Sequence, residues 1–269
     1  MDFDILEWLN LFTRWFHVFA GILWIGATYF FTWLDGRFTE LEKQANEGEP
    51  VYMVHSGGFY VIEKQKSPKI VPAKLHWFKW EAALTWLSGM VLLVLVYYFG
   101  GIMVDTDIAD LGEVTVIHIG VIALIASVPL YQMIWRSPLG RNEKAGAVVS
   151  FLLVAGVSYA LLSVMSGRAA YMHIGAMFGT IMAANVWMTI IPGQRKMVAA
   201  LEQGKTPDPL LAFRAKQCSK HNTFMVVPVV FIMISSHFPT STYGTESSWF
   251  VLMALILMGW GVAKIIRRA

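Results

Sequence analysis

The stretch VTVIHIGVIALIASVPLYQMIW, residues 114–135, decides the fold class of this chain. It contains no Asp, Glu, Lys or Arg, and a helix of this length is ~33 Å long, enough to cross a hydrocarbon layer of ~30 Å. Of the 269 residues, 56% are hydrophobic and 14% charged, with a mean hydropathy of +0.55. Soluble domains carry about 25% charged residues, so the sequence predicts an integral membrane protein.

Further apolar runs on both sides of this stretch are long enough to span a bilayer. The chain is therefore predicted to be an all-α, polytopic membrane bundle of about seven transmembrane helices, forming a single domain over residues 1–269. The run at 222–237 is short and contains Pro228, which predicts a kinked or partly buried helix. The predicted spans lie near residues 11–34, 82–99, 114–135, 145–165, 169–191, 222–237 and 249–266.

Predicted loops rich in lysine and arginine alternate with loops that contain few or none, and this alternation indicates the orientation of the bundle. Loop 35–80 holds seven basic residues, whereas loop 100–113 holds none and carries four acidic ones. Positive residues accumulate on the cytoplasmic side of membrane proteins. Loop 35–80 is therefore predicted to be cytoplasmic, with the N-terminus outside and the C-terminus inside. Arg14 and Arg168 are the only basic residues expected on the outer side.

The single cysteine, Cys218, excludes several kinds of site. A disulfide framework, a CxxC zinc site and the CxxCH attachment site of a c-type haem each need more than one cysteine. A redox cofactor would therefore be held without a covalent bond to the chain. The net charge of +3 is too small to indicate a nucleic-acid partner, and no phosphate loop or nucleotide fingerprint is present.

Histidines are the candidates for chemistry, because ionisable groups inside a bilayer are costly and are functional candidates by default. Four histidines, each on a different helix, are predicted to lie at one depth near the outer face. Neutral imidazole is a ligand for haem iron and for transition metals. The alternative explanation is that each marks the membrane–water interface. These candidate ligands of haem iron are His17, His118, His173 and His237.

The neighbours of these histidines favour haem b over copper or zinc. Gly21 follows His17 by four positions, so the two share a helix face, and the small residue leaves room for a flat macrocycle. Haem carries two propionates, and Arg14 and Arg168 stand where an outer haem needs cationic partners. The alternative for Arg14 is a surface ion pair with an N-terminal acid such as Glu7.

The cytoplasmic side offers further candidates. His76 and His221 are candidate ligands of a second haem. Loop 35–80 is too aromatic for a plain linker, and its lysines suit a small anionic substrate, although positive charge on this side needs no ligand to explain it. The candidate substrate-binding residues are His55, Trp77, Lys79, Glu81 and Asn185.

Several longer motifs resemble the membrane domain of bacterial membrane-bound urate hydroxylases, and the similarity runs through nearly the whole chain. They are WFHVFAGILWIG (15–26), LHWFKWE (75–81), TWLSG (85–89), HIGAMFGT (173–180), HNTF (221–224) and SSHFP (235–239). The resemblance implies a protein of the bacterial inner (plasma) membrane that oxidises urate to 5-hydroxyisourate in purine degradation. Family members carry a C-terminal cytochrome c domain. This sequence ends after the seventh predicted helix without a CxxCH, so a separate cytochrome c or respiratory complex is the expected electron acceptor.

The residues and the resemblance together predict a haem b-binding integral membrane oxidoreductase with electron-transport activity. One haem is expected, and a second is an alternative. Two other functions remain open: a quinol-linked haem subunit of a respiratory complex, and a non-redox membrane scaffold or metal transporter whose histidines are interfacial or bind copper. The sequence assigns no catalytic residue and does not decide which histidines pair on iron.

Overall fold

The structure is a computed structural model, and it describes residues 4–44, 48–65 and 74–267. Seven helices within these ranges are long and apolar enough to cross a membrane, which confirms the predicted fold class. The described residues thus have the architecture of a multi-pass membrane protein with almost no sheet. Its spans are Ile5–Lys43, Trp80–Tyr98, Glu113–Arg136, Glu143–Leu162, Gly167–Glu202, Pro209–Ser235 and Ser248–Ile266.

Two of the spans contain a π-helical turn, a feature often found at functional sites. One such turn, Val94–Tyr98, ends the second span, and the other, Asn185–Ile190, lies within the fifth. Short 3-10 turns, Pro138–Arg141 and Pro239–Ser241, occur in two of the loops. The α-helices are α1 (Ile5–Lys43), α2 (Trp80–Leu93), α3 (Glu113–Arg136), α4 (Glu143–Leu162), α5 (Gly167–Ala184), α6 (Ile191–Glu202), α7 (Pro209–Ser235) and α8 (Ser248–Ile266).

The first helix continues well beyond the apolar run that predicted it. The 39 residues of α1 give a helix ~58 Å long, almost twice the hydrocarbon thickness. Its last turns pack Leu34 and Phe38 against Val51 of a β-hairpin. In this hairpin, β1 (Val51–His55) pairs antiparallel with β2 (Gly58–Ile62). Part of the predicted loop 35–80 is therefore helix and hairpin, and its residues 45–47 and 66–73 lie outside the described ranges.

The fifth and sixth spans form the centre of the bundle. Half of the most apolar window of each is buried inside the protein, against 11–28% for the other spans. The outer helices are apolar on faces that other helices do not cover, as expected for contact with lipid. The buried core therefore lies around α5 and α7.

A close contact joins α7 to α8. Pro228 lies inside α7, which nevertheless runs as one helix from Pro209 to Ser235. Gly259 of α8 faces it so closely that an added Cβ atom would lie 2.8 Å from Pro228 Cδ and 3.0 Å from its backbone nitrogen. Small residues at helix interfaces in membranes permit such close approach of two backbones.

This contact predicts a large difference between two neighbouring glycines of α8. Gly259→Ala should destabilise the protein by about 1–3 kcal/mol, because the added methyl group overlaps a proline ring and backbone that cannot move aside. Gly261→Ala is the matched control, since nothing lies within 4 Å of a Cβ atom at that position. Thermal unfolding in detergent measures both variants. Equal unfolding temperatures would contradict the close contact.

Candidate functional site

A large cavity of about 530 Å³ lies between α3, α4, α5, α7 and α8. It is at the end of the bundle where α3 ends and α4 begins, and this end is called the basic end below because the lysines and arginines of the adjoining loops gather there. Apolar side chains such as Val157, Ile174 and Phe178 form most of its wall. A volume of this size falls within the range of ~300–1,000 Å³ that is usual for ligand and cofactor pockets.

One histidine, His221 of α7, lies in the wall of the large cavity. Its Nδ1 is 2.7 Å from the Tyr131 hydroxyl, and its ring centroid is 4.0 Å from that of Trp135. Its Nε2 forms no hydrogen bond with a described residue. When Nδ1 donates its proton to the tyrosine oxygen, Nε2 presents a lone pair, which is the arrangement found in metal-binding histidines.

Buried amides hold Tyr131 in place behind this histidine. The Asn185 Nδ2 donates hydrogen bonds to the Tyr131 hydroxyl at 3.2 Å and to the Asn222 side-chain oxygen at 2.9 Å. The Asn222 Nδ2 in turn donates to the backbone carbonyl of Met182 at 3.1 Å. Asn185 is the first residue of a π-helical turn and its side chain is buried. The helix geometry therefore changes at the residue whose amide holds Tyr131. Asn185 thus holds the Tyr131 hydroxyl, and its predicted contact with a substrate stays a prediction.

Charged side chains line the large cavity at the basic end, and this part of it is called its mouth below. The Lys220 Nζ lies 2.6 Å from the Glu143 carboxylate, and Arg267 donates a hydrogen bond to a threonine hydroxyl on α7. Lys144 and Lys264 form no ion pair with any described residue. The mouth therefore combines four cationic groups with one carboxylate, and this imbalance attracts the anionic part of a ligand.

A small pocket of about 190 Å³ lies beside the large cavity, and Tyr131 and Trp135 line both. It is enclosed by the end of α3, the 3-10 turn Pro138–Arg141 and the first turns of α7. The Gln217 side chain donates a hydrogen bond to the Gly140 carbonyl at 3.3 Å and so joins α7 to this turn. The other polar side chains of the small pocket are Gln132, Arg136, Ser137, Arg141, Thr189 and Arg214.

The four histidines predicted near the outer face do not converge on one point. Among residues 4–44, 48–65 and 74–267, no group of three or more His, Cys, Asp or Glu side chains is placed to hold a metal ion. His118 and His237 are exposed, and the His118 Nδ1 is 2.7 Å from a carbonyl of its own helix. His17 and His173 both contact the α2 span. The outer ligand set stays a prediction.

His17 and His173 meet the Trp80–Tyr98 span at different depths. The His17 Nδ1 lies 3.0 Å from the Ser88 hydroxyl, near the middle of the span. The His173 Nε2 lies 3.2 Å from the Tyr98 hydroxyl, at the end of the span. Ser88 and Tyr98 are ten residues apart, or ~15 Å along the helix axis. The two imidazoles are therefore not level with each other.

The surroundings of His173 are closely packed. Its Nδ1 is 2.8 Å from the Ala169 carbonyl, so both ring nitrogens have partners within the chain. An added Cβ atom at Gly120 of α3 would lie 2.5 Å from the His173 Nε2. The backbone of α3 thus passes close to this nitrogen, beside the Tyr98 hydroxyl.

The two arginines predicted to hold haem propionates lie near the same tyrosine. The Arg168 guanidinium is 5.9 Å from the centroid of the Tyr97 ring, and Arg14 also interacts electrostatically with Tyr97. The Arg168 Nε is buried without a hydrogen-bond partner among the described residues, whereas the Arg14 Nε donates to Asn10 at 2.6 Å. Arg168 thus packs near Tyr97, and the role of both arginines toward a propionate stays a prediction.

Two further predicted histidines lie apart from the cavities. His55 is exposed in the β-hairpin and hydrogen-bonded to Ser56. His76 is exposed and packs edge-on against the Phe78 ring, with centroids 4.5 Å apart. Neither residue lines the large cavity with His221, so the structure does not bring His76 and His221 together.

Most of the remaining substrate candidates dock the loop before α2 against the bundle. The Lys79 Nζ lies 5.2 Å from the ring centroids of both Trp80 and Trp187, and the Trp187 indole donates to the Lys79 carbonyl. Arg195 lies 5.9 Å from the Trp77 ring, and Glu81 is in the first turn of α2. The aromatic character of this loop is explained by these contacts.

Comparison with known protein families identifies the family of this chain. The model of the urate oxidase N-terminal family matches residues 4–268. The chain belongs to this family. No curated protein and no solved structure matches it. The match covers nearly every residue, so the helices, the large cavity and the small pocket all lie within the urate oxidase N-terminal region.

The sequence reasoning missed the small pocket of this urate oxidase N-terminal family member. Arg136, Arg141 and Arg214 were explained by the positive-inside rule, which needs no ligand. A usable signal was present, because Arg214 and Gln217 are three residues apart on α7 and therefore share a helix face. That signal indicates a polar face, but it does not show that α3 and α7 enclose a pocket between them.

Proposed function

We propose that this protein is a haem b-binding membrane oxidoreductase of the urate hydroxylase type, which oxidises urate and passes the electrons to a separate acceptor. The large cavity is the observation that carries the proposal. It is apolar and of cofactor size, and it combines an imidazole without a partner at Nε2 with a cationic mouth. These are the features that a non-covalently held haem needs. Membership of the urate oxidase N-terminal family supports urate as the substrate.

The side chains of the large cavity fit haem b. His221 would bind the iron through Nε2, and Met177 and Met225, which also line the cavity, offer thioether sulfurs as a second ligand. Lys144 and Lys264 at the mouth would pair with the propionates. Haem b supplies a one-electron acceptor whose potential is set by its ligands and surroundings.

The proposed reaction balances with water as the oxygen donor. Urate and one water molecule give 5-hydroxyisourate, two electrons and two protons, and the new C–O bond forms at C5 of the purine. The electrons leave singly to a cytochrome c or a respiratory complex, and the protons leave to solvent. The chain binds and orients the urate anion, and the apolar walls of the large cavity exclude water from the cofactor.

The proposal predicts the colour and spectrum of the purified protein. After expression in haem-replete cells, detergent-purified protein should give a b-type pyridine haemochrome at about one haem per chain. Adding urate without an acceptor should produce the reduced-minus-oxidised difference spectrum. Colourless protein would contradict the haem and favour a scaffold or transporter. Haem that dithionite reduces but urate does not would contradict the substrate.

A quinol-linked haem subunit is the second candidate, and the His221–Tyr131 pair favours it. The Tyr131 hydroxyl holds the Nδ1 of His221, so the Nε2 is left to hydrogen-bond a ring oxygen of a quinone, and the surrounding wall is apolar enough for its tail. Fast reduction of the haem by a quinol, together with no reduction by urate, would favour this function over urate oxidation.

A further inference from the structure

We propose that the small pocket binds a planar heterocyclic anion, which is urate in the proposed function on which this inference rests. The pocket is the 190 Å³ concavity between the end of α3, the Pro138–Arg141 turn and the first turns of α7. It is well under half the volume of the large cavity. Its size suits a small bicyclic molecule and excludes a haem.

The charge of the small pocket is unbalanced. Three arginines line it, Arg136, Arg141 and Arg214, and its lining contains no Asp or Glu. None of the three forms an ion pair with a described residue. A concave surface with several cations of this kind concentrates anions. The positive-inside rule accounts for arginines at this end of the bundle, but not for three of them around one concavity.

The neutral side chains of the pocket suit a flat ring with hydrogen-bonding edges. Gln132, Thr189 and Gln217 offer amide and hydroxyl groups that both donate and accept, which matches the alternating N–H and C=O groups of an oxidised purine. Trp135 and Phe213 offer aromatic faces on which a planar ring can stack. A phosphate or a lipid headgroup would use the arginines but not the aromatic faces, so the lining favours a planar anion.

The position of the small pocket matches the proposed reaction. Tyr131 and Trp135 line both the pocket and the large cavity, so one layer of aromatic side chains separates the two. The Tyr131 hydroxyl contacts His221 on the cavity side at 2.7 Å and Cys218 on the pocket side at 3.9 Å. An electron donor in the pocket would therefore lie next to a redox group in the cavity without any movement of the helices.

Equilibrium dialysis of radiolabelled urate against the detergent-purified full chain tests the site. Arg136→Gln and Arg214→Gln should each weaken urate binding about tenfold, since each removes a charge-assisted hydrogen bond. The haem content should not change in either variant. Arg195→Gln is the matched control, because Arg195 is an exposed arginine at the same end that packs on Trp77 outside the pocket. Its urate affinity should equal that of the wild type.

Competition identifies the class of ligand. Hypoxanthine, a neutral purine, should compete weakly, and neither inorganic phosphate nor phosphatidylglycerol should displace urate. Displacement by phosphate or by phosphatidylglycerol would overturn the proposal in favour of a headgroup site. Unchanged urate affinity in Arg136→Gln and Arg214→Gln would overturn it as well, as would a wild-type chain that binds no urate.

The same measurements separate this inference from the proposed function. Urate binding that depends on Arg136 and Arg214 in a protein without haem supports the site and contradicts only the proposed function. The opposite outcome is a haem that urate reduces, together with a urate affinity that neither substitution changes. That outcome contradicts only the site. Haem content is measured on the same samples by pyridine haemochrome, so the two results are independent.

Discussion

His221→Ala should purify with little or no haem, whereas His17→Ala and His173→Ala should keep a full complement. His221 is the one histidine among the described residues that line the large cavity, and its replacement removes a strong ligand while leaving the rest of the cavity intact. The His173 Nε2 faces the Tyr98 hydroxyl and the α3 backbone instead. The pyridine haemochrome absorbance per mole of purified chain measures the effect.

Two controls make this result specific. His76→Ala removes an exposed imidazole at the basic end that packs on the Phe78 ring and does not line the large cavity, and it should leave the haem content unchanged. Gel filtration of each variant excludes misfolding as the reason for lost haem. Loss of haem in His173→Ala together with full haem in His221→Ala would place the cofactor near the outer face. In that case Arg168→Gln should lower the midpoint potential of the haem by tens of millivolts, because the loss of a nearby positive charge favours the oxidised haem. A shift of ~59 mV corresponds to a tenfold change in the equilibrium constant for one electron.

The fold class could be predicted because a bilayer forces both length and apolar composition on every span. The ends of the helices could not. The first span was predicted at residues 11–34 and runs over Ile5–Lys43, and the sixth was predicted at 222–237 and runs over Pro209–Ser235. Hydropathy detects only the part of a helix inside the hydrocarbon, whereas the backbone hydrogen bonds of a helix continue into water at no penalty.

The candidate site could be predicted only in part. His221 and Asn185 were both singled out from the sequence, and both belong to the hydrogen-bonded group around Tyr131. The depth of a residue along its helix does not say which way its side chain points, so exposed His118 was grouped with buried His173. The direction of a side chain depends on which helices are neighbours, and one sequence of apolar spans is compatible with many arrangements.

Tyr131→Phe should weaken haem binding by about 10–100-fold, the usual effect of removing a residue that orients a metal ligand. The Tyr131 hydroxyl lies 2.7 Å from the His221 Nδ1, and without it the imidazole loses the partner that fixes its ring. Its hydrogen bond with Asn185 is lost as well, but the Asn185 amide keeps its bond to Asn222. The loss of folding stability should therefore be no more than about 1–3 kcal/mol.

The midpoint potential distinguishes an effect on the ligand from a loss of stability. A hydrogen bond from Nδ1–H makes the imidazole a stronger electron donor and so favours oxidised iron, and Tyr131→Phe should therefore raise the potential of the haem that remains bound. Tyr98→Phe is the matched control, because it removes a tyrosine hydroxyl 3.2 Å from the Nε2 of another histidine, His173, which does not line the large cavity. It should change neither the haem affinity nor the potential. The reverse result, with Tyr98→Phe shifting the potential and Tyr131→Phe leaving it unchanged, would contradict His221 as the ligand, because removing the hydroxyl at its Nδ1 must then act on the bound haem.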